Sequence, residues 1–466
     1  MAESFSLPSL SQPIRPALSR DEATAEANRC LFCYDAPCTR ACPTEIDVPL
    51  FIQQIATGNV GGAARTILSA NILGQSCARV CPTEVLCEGA CVLTDQHRPI
   101  RIGPLQRYAT DHAQSRGMPI LTPGPERPGT VGIIGAGPAG LSCAAELLRQ
   151  GYKSVIYEAS EQAGGLNTTG VAQYKLVPQD SLLEVDWLRR AGVEIRCGVR
   201  VGRDVSLDEL LQRHDAVFVG VGMGDIPGIG LTGEAQPGVW DALDLIAALK
   251  SGDPEVLSAV AGATVAVIGG GNTSIDVATQ VVRAGAAKTW LLYRRSMAEM
   301  SAYAHEIELA LGHGAELICH ATPIQVLGPI TGSGRSARVR GLEISRRAAS
   351  GADKSAGAQS AASAAAPVTQ VLPADLVVRA TGQKGAALAF AAPFATAHGV
   401  VKVDDWGKTS LPRCYAGGDC TSGGREVVHA VRDGKRAALA IVRDVLAQRN
   451  SQADTKKTAD AGTSGR

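Results

Sequence analysis

The clearest pattern along the 466 residues is a unit that occurs twice: a short apolar run, a cluster of glycines, then an amphipathic stretch. VGIIGAGPAGLSCAAELLRQG (131–151) predicts a buried strand, a tight turn and a helix, and KSVIYEAS (153–160) predicts a second strand. The same grammar returns in ATVAVIGGGNTSIDVATQVVRAGA (263–286), followed by the strand-like KTWLLYRRS (288–296). Ahead of both lies a region of short helical patterns, about 21–117, whose longest predicted helix is 48–70. A Pro/Gly linker, LTPGPERPGT (121–130), closes that region. Residues 1–20 are Pro/Ser-rich and predict a flexible arm. Residues 348–366 are Ala/Ser/Gly low complexity between strand-like segments and predict an exposed loop. The polar tail predicts disorder.

Composition narrows the class. Lys+Arg and Asp+Glu both number 45, so the net charge is zero, which argues against nucleic acid or an anionic membrane as partner. No apolar run approaches a membrane span, and the first 20 residues lack the apolar core of a secretory signal, so a cytoplasmic protein is expected. Aromatics are 4% and glycines number 52, which suits an α/β nucleotide-binding protein rich in tight turns.

The first glycine cluster is Gly135-Ala136-Gly137-Pro138-Ala139-Gly140. Its spacing suits a tight turn at Gly135, backbone approach to a pyrophosphate at Gly137 and close helix packing at Gly140. The phosphates would lie at the helix N-terminus, where free N–H groups and the dipole favour an anion. Glu158, 18 residues past Gly140, stands where an acid holds the adenosine ribose. Gly164-Gly165-Leu166 offers a second backbone approach. The late turn Ala416-Gly417-Gly418-Asp419 precedes a helical stretch starting near Arg425, with Glu426, Val427 and Val428 at its start. That arrangement suits a ribityl chain on Asp419 and a flavin ring at the helix, so this half of the chain is expected to bind FAD. The alternative for Asp419 is a helix cap.

The second cluster, Gly269-Gly270-Gly271-Asn272-Thr273-Ser274, replaces the third glycine by serine. No acid follows its second strand; Arg294 and Arg295 do, and arginines suit a ribose 2′-phosphate. NADP(H) is therefore expected over NAD(H), the alternative being solvated surface charge. Ala380, Thr381 and Gly382 complete the expected nucleotide site. The chain has 13 cysteines, eight of them within the 62 residues Cys30–Cys91. They run Cys30, Cys33, Cys38, Cys42-Pro and Cys77, Cys81-Pro, Cys87, Cys91. Structural zinc favours paired CxxC knuckles, of which there is one, whereas Cys-Pro endings occur in iron–sulfur runs. Two [4Fe-4S] clusters are expected.

With these motifs together, the chain resembles the flavin/iron–sulfur portion of dihydropyrimidine dehydrogenase and the small subunit of glutamate synthase. The resemblance covers about residues 21–447 and rests on CLFCYDAPCTRACPTEIDVP, CARVCPTEVLCEGAC, IGPLQRYATD, GAGPAGL, IGGGNTSID, ATGQ and AGGD. It implies Cys30, Cys33, Cys38 and Cys91 on one cluster, and Cys42, Cys81 and Cys87 on the other. The fourth ligand of the second would be Gln106, although cysteine counting alone selects Cys77. Lys175 stands where that family has an arginine near the flavin. The expected architecture is α/β: a helical double-cluster domain (21–120), an FAD domain (129–224 and 383–447), an inserted NAD(P)H domain (225–382) and a tail (448–466).

The expected function is electron input, from NAD(P)H through FAD and two clusters to a partner. The resemblance implies that the partner is a barrel subunit carrying flavin mononucleotide, which reduces uracil and thymine. The alternative is a glutamate-forming large subunit. A disulfide reductase would need a CxxC pair, whereas Cys414 and Cys420 have five residues between them. No side chain is singled out as a catalytic acid or base.

Overall fold

The computed structural model describes residues 9–96, 98–224, 226–328, 331–346, 367–385 and 394–446. The first eight residues of the expected arm, the 348–366 stretch and the tail 448–466 lie outside the described residues. The chain divides into two compact units. One comprises Pro13–Thr168, Lys175–Asp225 and Lys384–Arg466; the other comprises Met1–Gln12, Thr169–Tyr174 and Ile226–Gln383.

The first unit opens with helices α1 (Arg20–Ala27), α2 (Pro37–Ala41), α3 (Val48–Ala56), α4 (Val60–Ala70), α5 (Gly74–Val80) and α6 (Ile102–Ser115). Their apolar faces, with Phe51, Ile52, Ile55, Ile67, Leu68 and Leu105 fully buried, form one core. The single helix predicted over 48–70 is two helices. The break falls at Gly58, whose φ of +81° is left-handed, and Asn59 then caps α4 by accepting from the Gly62 N–H at 3.0 Å. The apolar period continues through the break, so periodicity alone does not reveal it.

Next come β1 (Thr130–Ile134), α7 (Pro138–Arg149), β2 (Lys153–Tyr157), α8 (Leu166–Thr169), α9 (Pro178–Arg190), β3 (Glu194–Arg196), α10 (Leu207–Arg213) and β4 (Ala216–Val219). The other unit supplies β5 (Val239–Asp241), α11 (Ala242–Ser251), α12 (Pro254–Val260), β6 (Thr264–Ile268), α13 (Asn272–Arg283), β7 (Lys288–Leu292), α14 (Ala304–Gly312) and β8 (Ala315–Ile318). It continues with β9 (Ala321–Leu327), β10 (Gly341–Arg346), β11 (Val368–Pro373) and β12 (Leu376–Arg379). The chain then returns to the first unit for β13 (Thr396–Ala397), β14 (Val400–Val401), β15 (Cys414–Ala416), α15 (Asp419–Ser422) and α16 (Val427–Ile441).

Each unit is built on a five-stranded parallel sheet. The orders are β15-β4-β1-β2-β3 and β5-β12-β6-β7-β8. In both, the strand before the glycine cluster is where the winding reverses: β1 lies between β2 and β4, and β6 between β7 and β12. Ligands of open α/β sheets bind in that crevice, beyond the carboxyl ends of the strands. An antiparallel β11-β10-β9 sheet belongs to the second unit.

Within the first unit, the helical region is fastened to the β1 sheet by the C-terminus of α4. Arg149 donates to the carbonyls of Leu68 (2.8 Å) and Ser69 (3.1 Å), and Lys435 donates to that of Ala70 (3.3 Å). Cations there satisfy carbonyls that have no partner within the helix and oppose the negative end of its dipole.

Candidate functional site

Cys30, Cys33, Cys38 and Cys91 line one pocket, walled otherwise by apolar side chains that include Leu31, Ile52, Leu93 and Ile100. Burial pushes the Cys38 thiol up to about 11 and raises that of Cys30. Iron takes the thiolate, so binding must displace protons that burial favours keeping. Cys42 follows α2 and Cys81 follows α5, and their thiols neighbour that of Cys87. The Cys81 thiol is raised first by a hydrogen bond to Cys77 and then by burial, and that of Cys87 by burial. Among the described residues, no three His, Cys, Asp or Glu side chains converge on a single metal ion. Four thiols around one pocket, and three more thiols that neighbour one another, are a donor set that suits iron–sulfur clusters.

Both candidates for the eighth position are buried. Cys77 accepts from Asn71 Nδ2 at 3.2 Å, and Gln106 donates through Nε2 to the Gly74 carbonyl at 2.7 Å. Gln106 sits in the first turns of α6, whose N-cap residue Arg101 provides no side-chain cap. Two buried glutamates serve instead: Glu26 accepts from the Arg101 N–H (3.0 Å) and Glu88 from the Gly103 N–H (2.9 Å). Sequence reading missed both, although Glu88 directly follows Cys87.

At the first switch point each glycine meets a different constraint. Gly135 has φ +99°, and a Cβ there would lie 2.5 Å from the Gly220 oxygen; one on Gly140 would lie 2.0 Å from the Gly135 oxygen. Gly137 is open: within 4 Å of a Cβ there is one atom, Gly165 Cα at 4.0 Å. A turn closed on two sides and open on the third, at the N-terminus of α7, is a cradle that fits a pyrophosphate. Glu158 accepts from the Ala136 N–H (2.7 Å) and the Ser160 N–H (2.8 Å), which fixes its carboxylate at the turn. Gly164 donates to the Ala136 carbonyl at 2.8 Å, placing Gly165 and Leu166 beside it.

The AGGD turn reaches the same place from the far end of the sequence. A Cβ on Gly434 would lie 2.0 Å from the Ala139 oxygen, so α16 crosses α7 in close contact, and Ser142 Oγ donates to the Val431 carbonyl at 2.7 Å. A Cβ on Gly418 would lie 3.0 Å from Ala139 Cβ. Glu426, Val427 and Val428 begin α16, which crosses α7 at Ala139. Asp419 accepts from the Arg425 N–H at 3.0 Å, and burial raises its carboxyl. Lys175 is half-buried on the segment leading into α9.

At the second switch point, Gly271 is open, the nearest atom to a Cβ being Ser301 Oγ at 3.5 Å, and Asn272 and Thr273 begin α13. Ser274 fits where the glycine pattern has its third member: it is fully buried and its hydroxyl donates to the Gly271 carbonyl at 2.6 Å. Ala380 borders the turn, its oxygen 2.3 Å from a Cβ on Gly269, and Thr381 and Gly382 follow β12. Arg294 and Arg295 are exposed beyond β7; Arg295 pairs with Glu299 at 3.7 Å and lies over the Tyr293 ring at 5.5 Å.

Residues 129–434 match the family described as pyridine nucleotide-disulphide oxidoreductase. The chain belongs to this family. Residues 10–118 match dihydropyrimidine dehydrogenase domain II, 4Fe-4S cluster. The chain is 34% identical over 429 residues to the NAD-dependent dihydropyrimidine dehydrogenase subunit PreT of Escherichia coli K12, covering 92% of this chain and 95% of that protein. It is 33% identical over 455 residues to the glutamate synthase [NADPH] small chain of Halomonas elongata, covering 92% of each. Thioredoxin reductase from T. acidophilum has a similar fold, with a TM-score of 0.53 at 21% identity over 67% of this chain and 97% of that one. That likeness concerns the fold alone. All 13 cysteines are free thiols here, and Cys414 and Cys420 are buried, Cys420 donating to the Val219 and Gly417 carbonyls.

The chain is thus a pyridine-nucleotide oxidoreductase of the flavoprotein fold with a 4Fe-4S domain. The expected α/β class, with a helical iron–sulfur domain followed by two dinucleotide-binding sheets, is the architecture found. Among the described residues no helix is long and apolar enough to cross a membrane.

Proposed function

We propose that this chain is the electron-input component of a two-part enzyme, with Cys30, Cys33, Cys38 and Cys91 on one [4Fe-4S] cluster and Cys42, Cys81, Cys87 and Gln106 on a second. FAD would lie on the Gly135–Gly140 cradle, with Glu158 at the ribose and Asp419 and the α16 N-terminus at the other end. NADP(H) would lie on the Gly269–Ser274 turn, with Arg294 and Arg295 at the 2′-phosphate. When bound, NAD(P)H supplies a hydride, FAD takes it as an electron pair, and clusters carry electrons singly. The chain's own residues hold and orient: glycines admit the phosphates, helix N-termini offset their charge, and the apolar pocket excludes water from the cluster.

The observation that carries this reading is the fastening of the cysteine-rich helices to the first sheet, inside one compact unit. A cluster domain built onto a flavin cradle is what single-electron exit from a flavin requires. The partner is proposed to be a flavin mononucleotide barrel that reduces uracil and thymine. The IGPLQR segment and the dihydropyrimidine dehydrogenase match over residues 10–118 support that choice. A glutamate-forming partner is the second reading, supported by the likeness to a glutamate synthase small chain.

The test is purification with the native partner under anaerobic conditions, followed by NADPH oxidation assays with uracil and, separately, with glutamine plus 2-oxoglutarate. Uracil-dependent turnover by the complex, absent from the chain alone, is expected. Turnover with glutamine plus 2-oxoglutarate alone would establish the second reading. Uracil reduction by the isolated chain, as fast as its reduction of artificial acceptors, would overturn the two-part proposal.

A further inference from the structure

The cysteine-rich domain contains the same tetrapeptide twice, Cys42-Pro43-Thr44-Glu45 and Cys81-Pro82-Thr83-Glu84, and the two copies fold differently. In the first, the Glu45 N–H donates to the Cys42 carbonyl at 2.9 Å, closing a four-residue turn with Pro43 at its second position. Glu45 is left-handed, with φ +54°. The turn lays the hydroxyl of buried Thr44 3.4 Å from Cys42 Sγ. In the second copy, the Thr83 hydroxyl is engaged elsewhere, 3.4 Å from Arg15 Nη1 and 3.5 Å from Glu84 Oε2. The Thr83 carbonyl collects the N–H groups of Glu88 (2.8 Å) and Gly89 (3.1 Å).

The Thr44 contact has one possible polarity once Cys42 holds iron. A ligating cysteine is a thiolate with no hydrogen to give, so Thr44 Oγ1 must donate to the sulfur. Reduction adds one negative charge to a cluster, part of it on the ligand sulfurs. A donor aimed at such a sulfur therefore stabilises the reduced state more than the oxidised one, and hydrogen bonds to the sulfurs are among the features that set cluster potentials. We propose that Thr44 is a positioning residue that raises the reduction potential of the cluster held by Cys42, making the two clusters of the chain unequal electron acceptors. This rests on the assignment of Cys42 as a ligand. The step tuned is a one-electron reduction, the electron coming from NADPH by way of the flavin; no bond forms or breaks, and Thr44 keeps its hydrogen.

The experiment is iron analysis and an EPR-monitored potentiometric titration of the anaerobically purified full chain, for the wild type, Thr44→Val, Thr44→Ser and Cys42→Ala. Thr44→Val is expected to retain its iron while one cluster shifts to lower potential. At the potential where that cluster is half reduced in the wild type, its reduced-to-oxidised ratio should fall about tenfold, which for a one-electron couple is about 59 mV. Thr44→Ser, which keeps the hydroxyl, should titrate with the wild type. Unchanged potentials in Thr44→Val, an equal shift of both clusters, or a Thr44→Ser shift as large as that of Thr44→Val would each overturn the proposal. So would loss of iron from Thr44→Val and from a further Thr44→Ala variant, since the hydroxyl would then be retaining the cluster and not tuning it. Full iron and two unaltered clusters in Cys42→Ala would instead overturn the ligand assignment beneath it.

Discussion

Gln106 donates its side-chain amide to the carbonyl oxygen of Gly74 over 2.7 Å, which commits its nitrogen and leaves Oε1 as the atom able to face a metal. The helix that carries it is set in place by Glu26 and Glu88, one from each half of the cysteine-rich region. Cys77, by contrast, has its sulfur engaged by Asn71 Nδ2 at 3.2 Å. Gln106→Leu is therefore expected to lose about half the iron and one of two EPR signals, while Cys77→Ala keeps both. Iron analysis and EPR decide, and the reverse pattern would move the fourth ligand to Cys77.

The glycines of the first cradle should fail in different ways. A methyl at Gly140 would lie 2.0 Å from the Gly135 oxygen, so Gly140→Ala must displace backbone and should destabilise the unit by about 1–3 kcal/mol. Gly137 faces open space, so Gly137→Asp can fold normally but places a carboxylate where the pyrophosphate is proposed to lie. The expected result is a Gly137→Asp protein with the denaturation midpoint of flavin-stripped wild type and no bound flavin. Wild-type flavin occupancy in Gly137→Asp would show that the cradle serves something else.

These contrasts mark what is legible in a sequence. Strand, glycine turn and helix are local, and so the two clusters at 135–140 and 269–274 announce their sheets and the α/β class. The break at Gly58 is also local, but the apolar pattern runs through it, and only the left-handed φ shows it. The crossing of Gly434 on Ala139 and the capping of α6 by Glu26 join residues far apart in sequence, so no window of the chain contains them. The roles of Thr44 and Thr83 differ although their tetrapeptides are identical, because the neighbours that pull Thr83 away include Arg15, 68 residues distant.

Glu184 gives a pH prediction. It lies on α9, 1% exposed, and accepts from the N–H groups of Gln75 (2.9 Å) and Ser76 (3.0 Å) and from the Ser76 hydroxyl. Burial raises its carboxyl to about 7 from an ordinary 4.5, against the opposing pull of Ser76, Arg79 and Gln75. Because the folded pKa is above the unfolded one, the associated stability is fully present below pH 4.5, declines as pH rises, and is gone above about 7. The difference amounts to about 3 kcal/mol. Chemical denaturation of wild type and Glu184→Gln across pH 5 to 8 should show a wild-type decline that the variant, neutral throughout, lacks in that amount. Parallel profiles would remove Glu184 from the account.

The last prediction concerns the choice of nucleotide, and it follows from comparing the two switch points. Glu158 comes directly after β2 and binds the Ala136 N–H, the second residue of the first glycine cluster. Tyr293 comes directly after β7, and its ring lies 2.4 Å from where a Cβ on Gly270, the second residue of the second cluster, would be. An aromatic ring thus fills the place where the other sheet has the Glu158 carboxylate. The Tyr293 hydroxyl donates to the Glu299 carbonyl at 2.8 Å, which holds the ring there. The ring offers no carboxylate to the 2′-OH of NADH, and Arg294 and Arg295, next in the chain, are the residues proposed to meet a 2′-phosphate. Both arginines are exposed, so solvent screening reduces what they contribute. Replacing both by alanine is expected to lower kcat/KM for NADPH on the order of tenfold and to leave that for NADH nearly unchanged. Steady-state reduction of an artificial acceptor by the isolated chain, with each nucleotide, reads this directly. A wild type that uses NADH as well as NADPH, or a double variant that loses both equally, would show that the arginines do not read the phosphate.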